Sequence, residues 1–320
     1  MPLPRDPALL LDAARDGNRG ALARLLSGVE RGGDRAREIG RLAHPHGGGT
    51  YTIGITGAPG AGKSTLTSAL LRAIRSASEQ VAVLAIDPSS PFSGGAILGD
   101  RVRMQDHALD EGVFIRSMAT RGHLGGLALA APEAIRVLDA VGFPLVLAET
   151  VGVGQVEVEI AGAADTTVVV VNPGWGDGVQ ANKAGLLEIA DVFVINKADR
   201  PGVEQTRRDL ELMLELSDIG EWRPPIVPTV ASDEVGGGEG VESLWKVIGE
   251  HRAYLESSGV LVERRAARQD DELRRIVAER LRERTEAVYT SDRFVELLAA
   301  VVGRELDPYV AAEQVLDELG

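Results

Sequence analysis

The sequence predicts an α/β fold. Helices should cover both faces of a mostly parallel sheet, making three layers, with helical extensions at each end. Three observations predict it. Seven short apolar runs rich in Val, Ile and Leu recur between residues 52 and 230. Most are separated by stretches of helical periodicity, and strand–helix alternation implies a parallel sheet buried on both faces. The first run leads through a glycine-rich turn into a helix, and the chain is again helical after residue 257.

From the N-terminus, Pro7 to about Ile39 alternates Leu and Ala with charged residues at helical spacing, read as two helices broken by Gly32-Gly33. His44 to Gly49 is a linker; its two histidines lack a third ligand and read as loop. The strands are Thr52–Thr56, Val81–Ile86, Val113–Arg116, Pro144–Ala148, Thr167–Val171, Val192–Ile195 and Ile226–Val230. The helices between them are Lys63–Ser76, Ala131–Val141, Ala181–Ile189, Val203–Leu216 and Val241–Leu255. Beyond Gly259, Leu273, Ile276, Val277 and Leu281 make one apolar stripe. Phe294, Leu297, Leu298, Val301 and Val302 make another. The expected units are a helical extension (1–49), a sheet domain (50–256) and a helical arm (257–320) that either packs back or pairs with a second chain.

Composition narrows the function classes. At 44% hydrophobic, 320 residues supply a sizeable core. A net charge of -14 repels nucleic-acid backbones and anionic membranes, so neither is an expected partner. With no cysteine, disulfides, thiolate metal sites and cysteine nucleophiles are excluded. Met1 to Leu11 does not read as a signal peptide, and no apolar run approaches a membrane span, so a cytoplasmic location is expected. The 34 basic residues include four lysines, leaving 30 arginines. A chain that prefers arginine this strongly retains lysine where a compact ammonium is needed. Lys63, Lys183 and Lys197 all sit in motifs; Lys246 reads as a helix surface residue.

Gly57-Ala58-Pro59-Gly60-Ala61-Gly62-Lys63-Ser64, followed by Thr65, fits G-x-x-x-x-G-K-S between a strand and a helix. The glycines let backbone amides turn toward a triphosphate, Lys63 reaches its β- and γ-phosphates, and the Ser64 hydroxyl offers a ligand to Mg²⁺. A dinucleotide loop is the rival, because Asp87 ends the second strand where a ribose-binding acid would stand. However, glycines at 57, 60 and 62 do not fit G-x-G-x-x-G. Asn196-Lys197-Ala198-Asp199 follows the sixth strand. The Asp199 carboxylate can accept from both the ring N–H and the exocyclic amine of guanine, a pair adenine lacks. Lys197 can lie along the base, Asn196 braces the loop, and the Ala231 amide is placed to meet the guanine carbonyl. The expected ligands are therefore GTP and GDP.

Asp87, Asp100 and Glu149 are candidate Mg²⁺ carboxylates, and the Gly152 amide in E-T-V-G is placed for the γ-phosphate. Lys63, Asp100, Glu149 and Gly152 are thus the expected catalytic groups. No glutamine directly follows Gly152, so unaided hydrolysis should be slow, roughly 10⁻⁴ to 10⁻² s⁻¹.

Together, the phosphate loop, D-P-S-S-P-F-S-G-G-A-I-L-G-D-R-V-R-M, E-T-V-G-V-G-Q, N-P-G-W-G-D-G-V-Q-A-N-K-A-G and N-K-A-D resemble the ArgK/MeaB family, P-loop GTPases of the SIMIBI class, over nearly the whole chain. The human methylmalonic aciduria type A protein is similar. The resemblance implies a P-loop NTPase fold, a homodimer joined by the C-terminal helices, and a client. That client is an adenosylcobalamin-dependent acyl-CoA mutase, typically methylmalonyl-CoA mutase, whose cofactor loading is gated and which is protected from inactivation. It also implies that Asn172 to Lys183 is a further switch loop responding to the mutase, with Asp177 and Lys183 as its functional acid and lysine. Some members were described as kinases of amino-acid transport systems, which remains the alternative. D-x-H-x-x-G is absent, so the chain is not expected to hold cobalamin through a lower-ligand histidine.

Overall fold

Seven strands make one sheet, and every strand pairing within it is parallel. They are β1 (Tyr51–Gly57), β2 (Val81–Asp87), β3 (Val113–Ala119), β4 (Leu145–Thr150), β5 (Thr166–Val171), β6 (Val192–Asn196) and β7 (Ile226–Thr229), in the order β3-β2-β4-β1-β5-β6-β7. The structure is a computed structural model and describes residues 4–87, 107, 109–119, 126–150, 156–175, 180–217, 220–232 and 238–317. The described helices are α1 (Pro7–Arg15), α2 (Arg19–Arg31), α3 (Gly33–Ala43), α4 (Lys63–Ser76), α5 (Gly126–Ala140), α6 (Val156–Ala163), α7 (Gln180–Ile189), α8 (Val203–Leu216), α9 (Val241–Ser258), α10 (Val260–Tyr289), α11 (Asp292–Val302) and α12 (Pro308–Asp317). The expected α/β three-layer fold is found, and α4 and α8 match their expected bounds.

The central strands are mostly apolar because helices cover both faces. On one face Ile53, Ile55, Leu147 and Val170 pack with Leu66, Leu70 and Ile74 of α4 and Leu244 and Ile248 of α9. On the other, Leu84, Ile86, Val146 and Ala148 pack with Val137 and Leu138 of α5 and with Leu10, Leu25, Leu26 and Ile39 of the N-terminal helices. A further cluster joins Val169, Val171, Phe193 and Ile195 to Leu186 of α7 and to Leu210 and Leu214 of α8. The N-terminal extension is therefore part of the sheet's own core. Arg116 on edge strand β3 anchors it, pairing with Glu30 of α2 at 2.8 Å.

Two elements differ from expectation. The N-terminal segment holds three helices, not two. A break falls at Asp16-Gly17-Asn18, where the Asn18 side chain caps α2 by accepting from the Ala21 amide at 3.0 Å. The helix α6 was not expected, because Val156-Glu157-Val158-Glu159-Ile160 alternates with the period of a strand. Tertiary packing decides it: Ile160 is fully buried, and it and Ala164 close over Gly54 of β1.

The strands' amino-terminal ends are fastened by acids. Asp165 accepts the Thr52 amide at 3.0 Å, and Asp191 the Thr167 amide at 2.8 Å. Beside them the Tyr51 hydroxyl meets Thr166 Oγ1 at 2.5 Å, and burial pushes the Tyr51 phenol up to about 12. The chain divides into Met1–Val262 and Glu263–Gly320. Within the second unit, Leu297, Ala311 and Val315 are buried. The stripe Leu273, Ile276, Val277 and Leu281 is 39–60% exposed. Among the described residues no helix is long and apolar enough to cross a membrane.

Candidate functional site

The carboxyl ends of β1, β4 and β6 converge at one edge of the sheet, where ligands of parallel α/β folds bind. At the end of β1 the chain turns sharply at Gly57 (φ +132°). A Cβ there would lie 2.0 Å from the Val170 carbonyl oxygen, so no other residue fits. The Ala58 amide donates to that same carbonyl at 3.2 Å, which fixes the loop's root to β5. The helix α4 begins at Lys63, and the backbone amides of a helix's first turn, here including Ser64 and Thr65, favour an anion at its N-terminus. Lys63 is buried within the loop, its ammonium donating to the Gly57 oxygen at 2.7 Å and the Ala58 oxygen at 3.2 Å. The loop thus wraps a cation before any phosphate arrives.

Ser64 Oγ donates to Glu149 Oε1 at 2.5 Å. Glu149 is fully buried inside β4, opposite Ile55 of β1 and Ala85 of β2. A hydroxyl and a carboxylate in contact are the oxygen donors a hard cation takes, so this pair fits Mg²⁺ held by few protein groups with phosphate and water completing its shell. The backbone of Asp87 ends β2 beside them. The Asp87 side chain, Asp100, Gly152 and Asp177 lie outside the described residues. The backbone of Lys183 is in the first turn of α7, within the helix expected over Ala181–Ile189, and its side chain is outside the described residues.

The base side of the site is built on Asn196, which is 2% exposed. Its side-chain amide donates to the Ala61 oxygen at 2.8 Å and the Gly62 oxygen at 3.5 Å. Its oxygen accepts from Thr229 Oγ1 at 3.1 Å and from the Ala231 amide at 3.3 Å. One side chain therefore ties the phosphate loop to β6 and β7. The contact leaves no room for a side chain at Gly62 (φ +91°): a Cβ there would sit 2.5 Å from Asn196 Nδ2. Lys197, at φ +61°, extends its ammonium to the Gly60 oxygen at 2.7 Å, a second bridge between the two loops. Asp199 is exposed at the mouth, where a base edge would meet it. The Ala231 amide, expected to face a guanine carbonyl, donates here to Asn196. Sequence reasoning missed Thr229 and the Val170 carbonyl. The first left a faint signal, a threonine ending an apolar strand; a backbone carbonyl leaves none.

A phosphate-wrapping loop between β1 and α4, braced to N-K-A-D at the end of β6, defines a P-loop protein of the guanine-nucleotide-binding type. The chain matches the family described as methylmalonyl Co-A mutase-associated GTPase MeaB over residues 22–290, and it belongs to that family. It is 50% identical over 315 residues to a Pyrococcus abyssi protein named as a GTPase, covering 97% of this chain and 96% of the other. It is 35% identical to the GTPase ArgK of Escherichia coli, covering 94% and 93%. A crystal structure of an LAO/AO transport system kinase superposes with a TM-score of 0.71 at 27% identity, covering 98% of this chain and 97% of that one. The expected family resemblance and P-loop fold are both borne out.

Proposed function

We propose that the chain is a GTP-hydrolysing switch that chaperones an adenosylcobalamin-dependent acyl-CoA mutase of the methylmalonyl-CoA type, gating its cofactor loading and protecting or reactivating it. The observation that carries the nucleotide part is Asn196, whose amide welds the loop for phosphates to the loop for the base. The mutase part rests on the family to which the chain belongs.

In this reading the amides of residues 57–65 and the Lys63 ammonium hold the β- and γ-phosphates, and Asp199 selects guanine. Water attacks the γ-phosphorus, the bond to the β-phosphate oxygen breaks, and GDP and phosphate leave. Ser64 and Glu149, with Asp87 and Asp100, would hold Mg²⁺. Held there, the ion would supply positive charge against the negative charge that develops on the phosphate oxygens. Gly152 would give its amide to the γ-phosphate and release it on hydrolysis, while Asp177 and Lys183 would face the mutase. The exposed stripe Leu273, Ile276, Val277 and Leu281 supports a homodimer through residues 257–320, and we place the protein in the cytoplasm. A second reading, an ATP-using kinase linked to amino-acid transport, takes its support from the name of the 27%-identical structure.

Calorimetry with Mg²⁺ separates the two. GTP and GDP should bind tightly and ATP at least about 100-fold more weakly, since a site with a buried polar match rejects the wrong base by such factors. ATP binding as well as GTP would sink the switch reading. Purification from the native host should bring down a mutase, identified by mass; recovery of a transport-binding protein instead would favour the kinase.

A further inference from the structure

The turn Asn172-Pro173-Gly174-Trp175 leaves the carboxyl end of β5 and opens the segment assigned above to partner contact. It is a closed turn, the Trp175 amide donating to the Asn172 oxygen at 3.1 Å. It rests on the residues just after the guanine clamp. The Gly174 amide donates to Thr206 Oγ1 at 3.3 Å, and Thr206 is 3% exposed. A methyl group on Gly202 would lie 3.6 Å from Pro173 Cβ and 3.9 Å from the Gly174 nitrogen, so the two turns lie side by side with room for one methyl between them. Thr206 in turn donates its amide to the Gly202 oxygen at 3.0 Å, closing the first turn of α8. Gly202 is three residues from Asp199. Trp175 then packs on the cluster that includes Phe193 and Ile195 of β6, the strand that carries the clamp.

From this geometry we infer that Thr206 is a positioning residue through which the 172–175 turn registers the occupant of the base site, independently of the γ-phosphate. The inference rests on the guanine-nucleotide reading above. The physical argument is one of attachment. The 172–175 turn is hydrogen-bonded to the helix that starts beyond Asp199. A base that draws in Asp199 and Lys197 pulls on Gly202 and the first turn of α8, and the buried Thr206 hydroxyl passes that displacement to Gly174. The partner-facing loop would thus distinguish an empty site from a filled one.

Fluorotryptophan incorporated into the full chain gives three ¹⁹F resonances, one each for Trp175, Trp222 and Trp245, and Trp175→Phe assigns the first. The Trp175 resonance should shift on adding GDP, and to a similar extent on adding a non-hydrolysable GTP analogue, both with Mg²⁺. Thr206→Val keeps the volume and removes the hydroxyl. It should abolish most of that shift while calorimetric affinity for GDP changes by less than about threefold, the scale of one neutral hydrogen bond. Thr206→Ser should restore the shift. A shift with the triphosphate analogue alone would overturn the inference, because the turn would then read the γ-phosphate. An unmoved resonance in wild-type protein that calorimetry shows to be saturated with GDP would overturn it as well, leaving the guanine reading intact. Failure of either nucleotide to bind would remove that reading and this inference together.

Discussion

Asn196 is the most economical place to test the site. Truncating it to alanine removes a side chain that is 2% exposed and satisfies buried groups in two loops. The Ala61 oxygen loses its donor at 2.8 Å, the Thr229 hydroxyl its acceptor at 3.1 Å and the Ala231 amide its acceptor at 3.3 Å. Ala61, Thr229 and Ala231 are themselves at most 3% exposed, so water does not easily replace the amide. A buried group left unpaired costs about 1 kcal/mol or more, so the substitution should cost about 3 kcal/mol of stability. For a domain of this size each kcal/mol moves the melting temperature by about 2–4 °C, so the transition should fall by roughly 6–12 °C. Nucleotide affinity should fall too, because the loop for phosphates and the loop for the base are no longer held at a fixed separation. A loss of about 1.4–2.8 kcal/mol there is a 10- to 100-fold rise in the Kd for GTP. Thermal unfolding by circular dichroism and calorimetry with GTP measure the two effects. Asn196→Asp keeps the volume but sets a carboxylate against the Ala61 oxygen, so it should do no better than alanine. If Asn196→Ala melts within 2 °C of the parent, on the scale of about 0.5 kcal/mol, and binds GTP as before, the brace does not exist.

Four further outcomes are expected. Asp199→Asn should weaken GTP and favour xanthosine triphosphate; full GTP affinity in that variant would displace the clamp. Glu149→Gln should raise the Mg²⁺ concentration needed for half-maximal GTP hydrolysis by about tenfold or more, since a neutral amide is a poorer ligand for a hard cation; an unchanged Mg²⁺ titration would remove Glu149 from the metal site. Tyr51, buried at the base of β1, has its phenol raised to about 12, chiefly by desolvation, with nearby Asp165 and Asp191 adding to the rise. A raised value means stability is whole below about pH 10 and is lost as pH climbs toward about 12, an effect of about 2–3 kcal/mol. Tyr51→Phe should flatten that alkaline loss in pH-dependent denaturation, and an identical alkaline limb would refute it. Removing Val260 to Gly320 should give a monomer by light scattering that still binds nucleotide; a surviving dimer would move the interface elsewhere.

The strands were readable because the central ones are short runs buried on both faces, and such burial favours apolar residues. The phosphate loop was readable because its glycines and Lys63 serve backbone geometry that few other residues permit. The break at Asp16-Gly17-Asn18 was legible in principle, since Asn18 is a good helix cap, but the flanking helical periodicity masked it. The helix α6 was not legible. Its sequence alternates like a strand, and it is helical because Ile160 and Ala164 must close over Gly54, which lies 106 residues earlier than Ile160 (160 − 54). Lys183 falls in the helix read over Ala181–Ile189, whose Leu186 joins the cluster around β5 and β6.

The sequence by itself determined the layered α/β architecture, the identity of the two nucleotide loops and the family, since all three depend on local spacing and residue chemistry. Only the tertiary structure decided how those loops hold one another. Asn196 and Ala61 are 135 residues apart and Gly174 and Thr206 are 32 apart, and no periodicity encodes such pairings. Strand order sets them: it carries β6 beside β5 and β5 beside β1, so that one buried amide spans a gap the chain itself crosses only after four intervening strands.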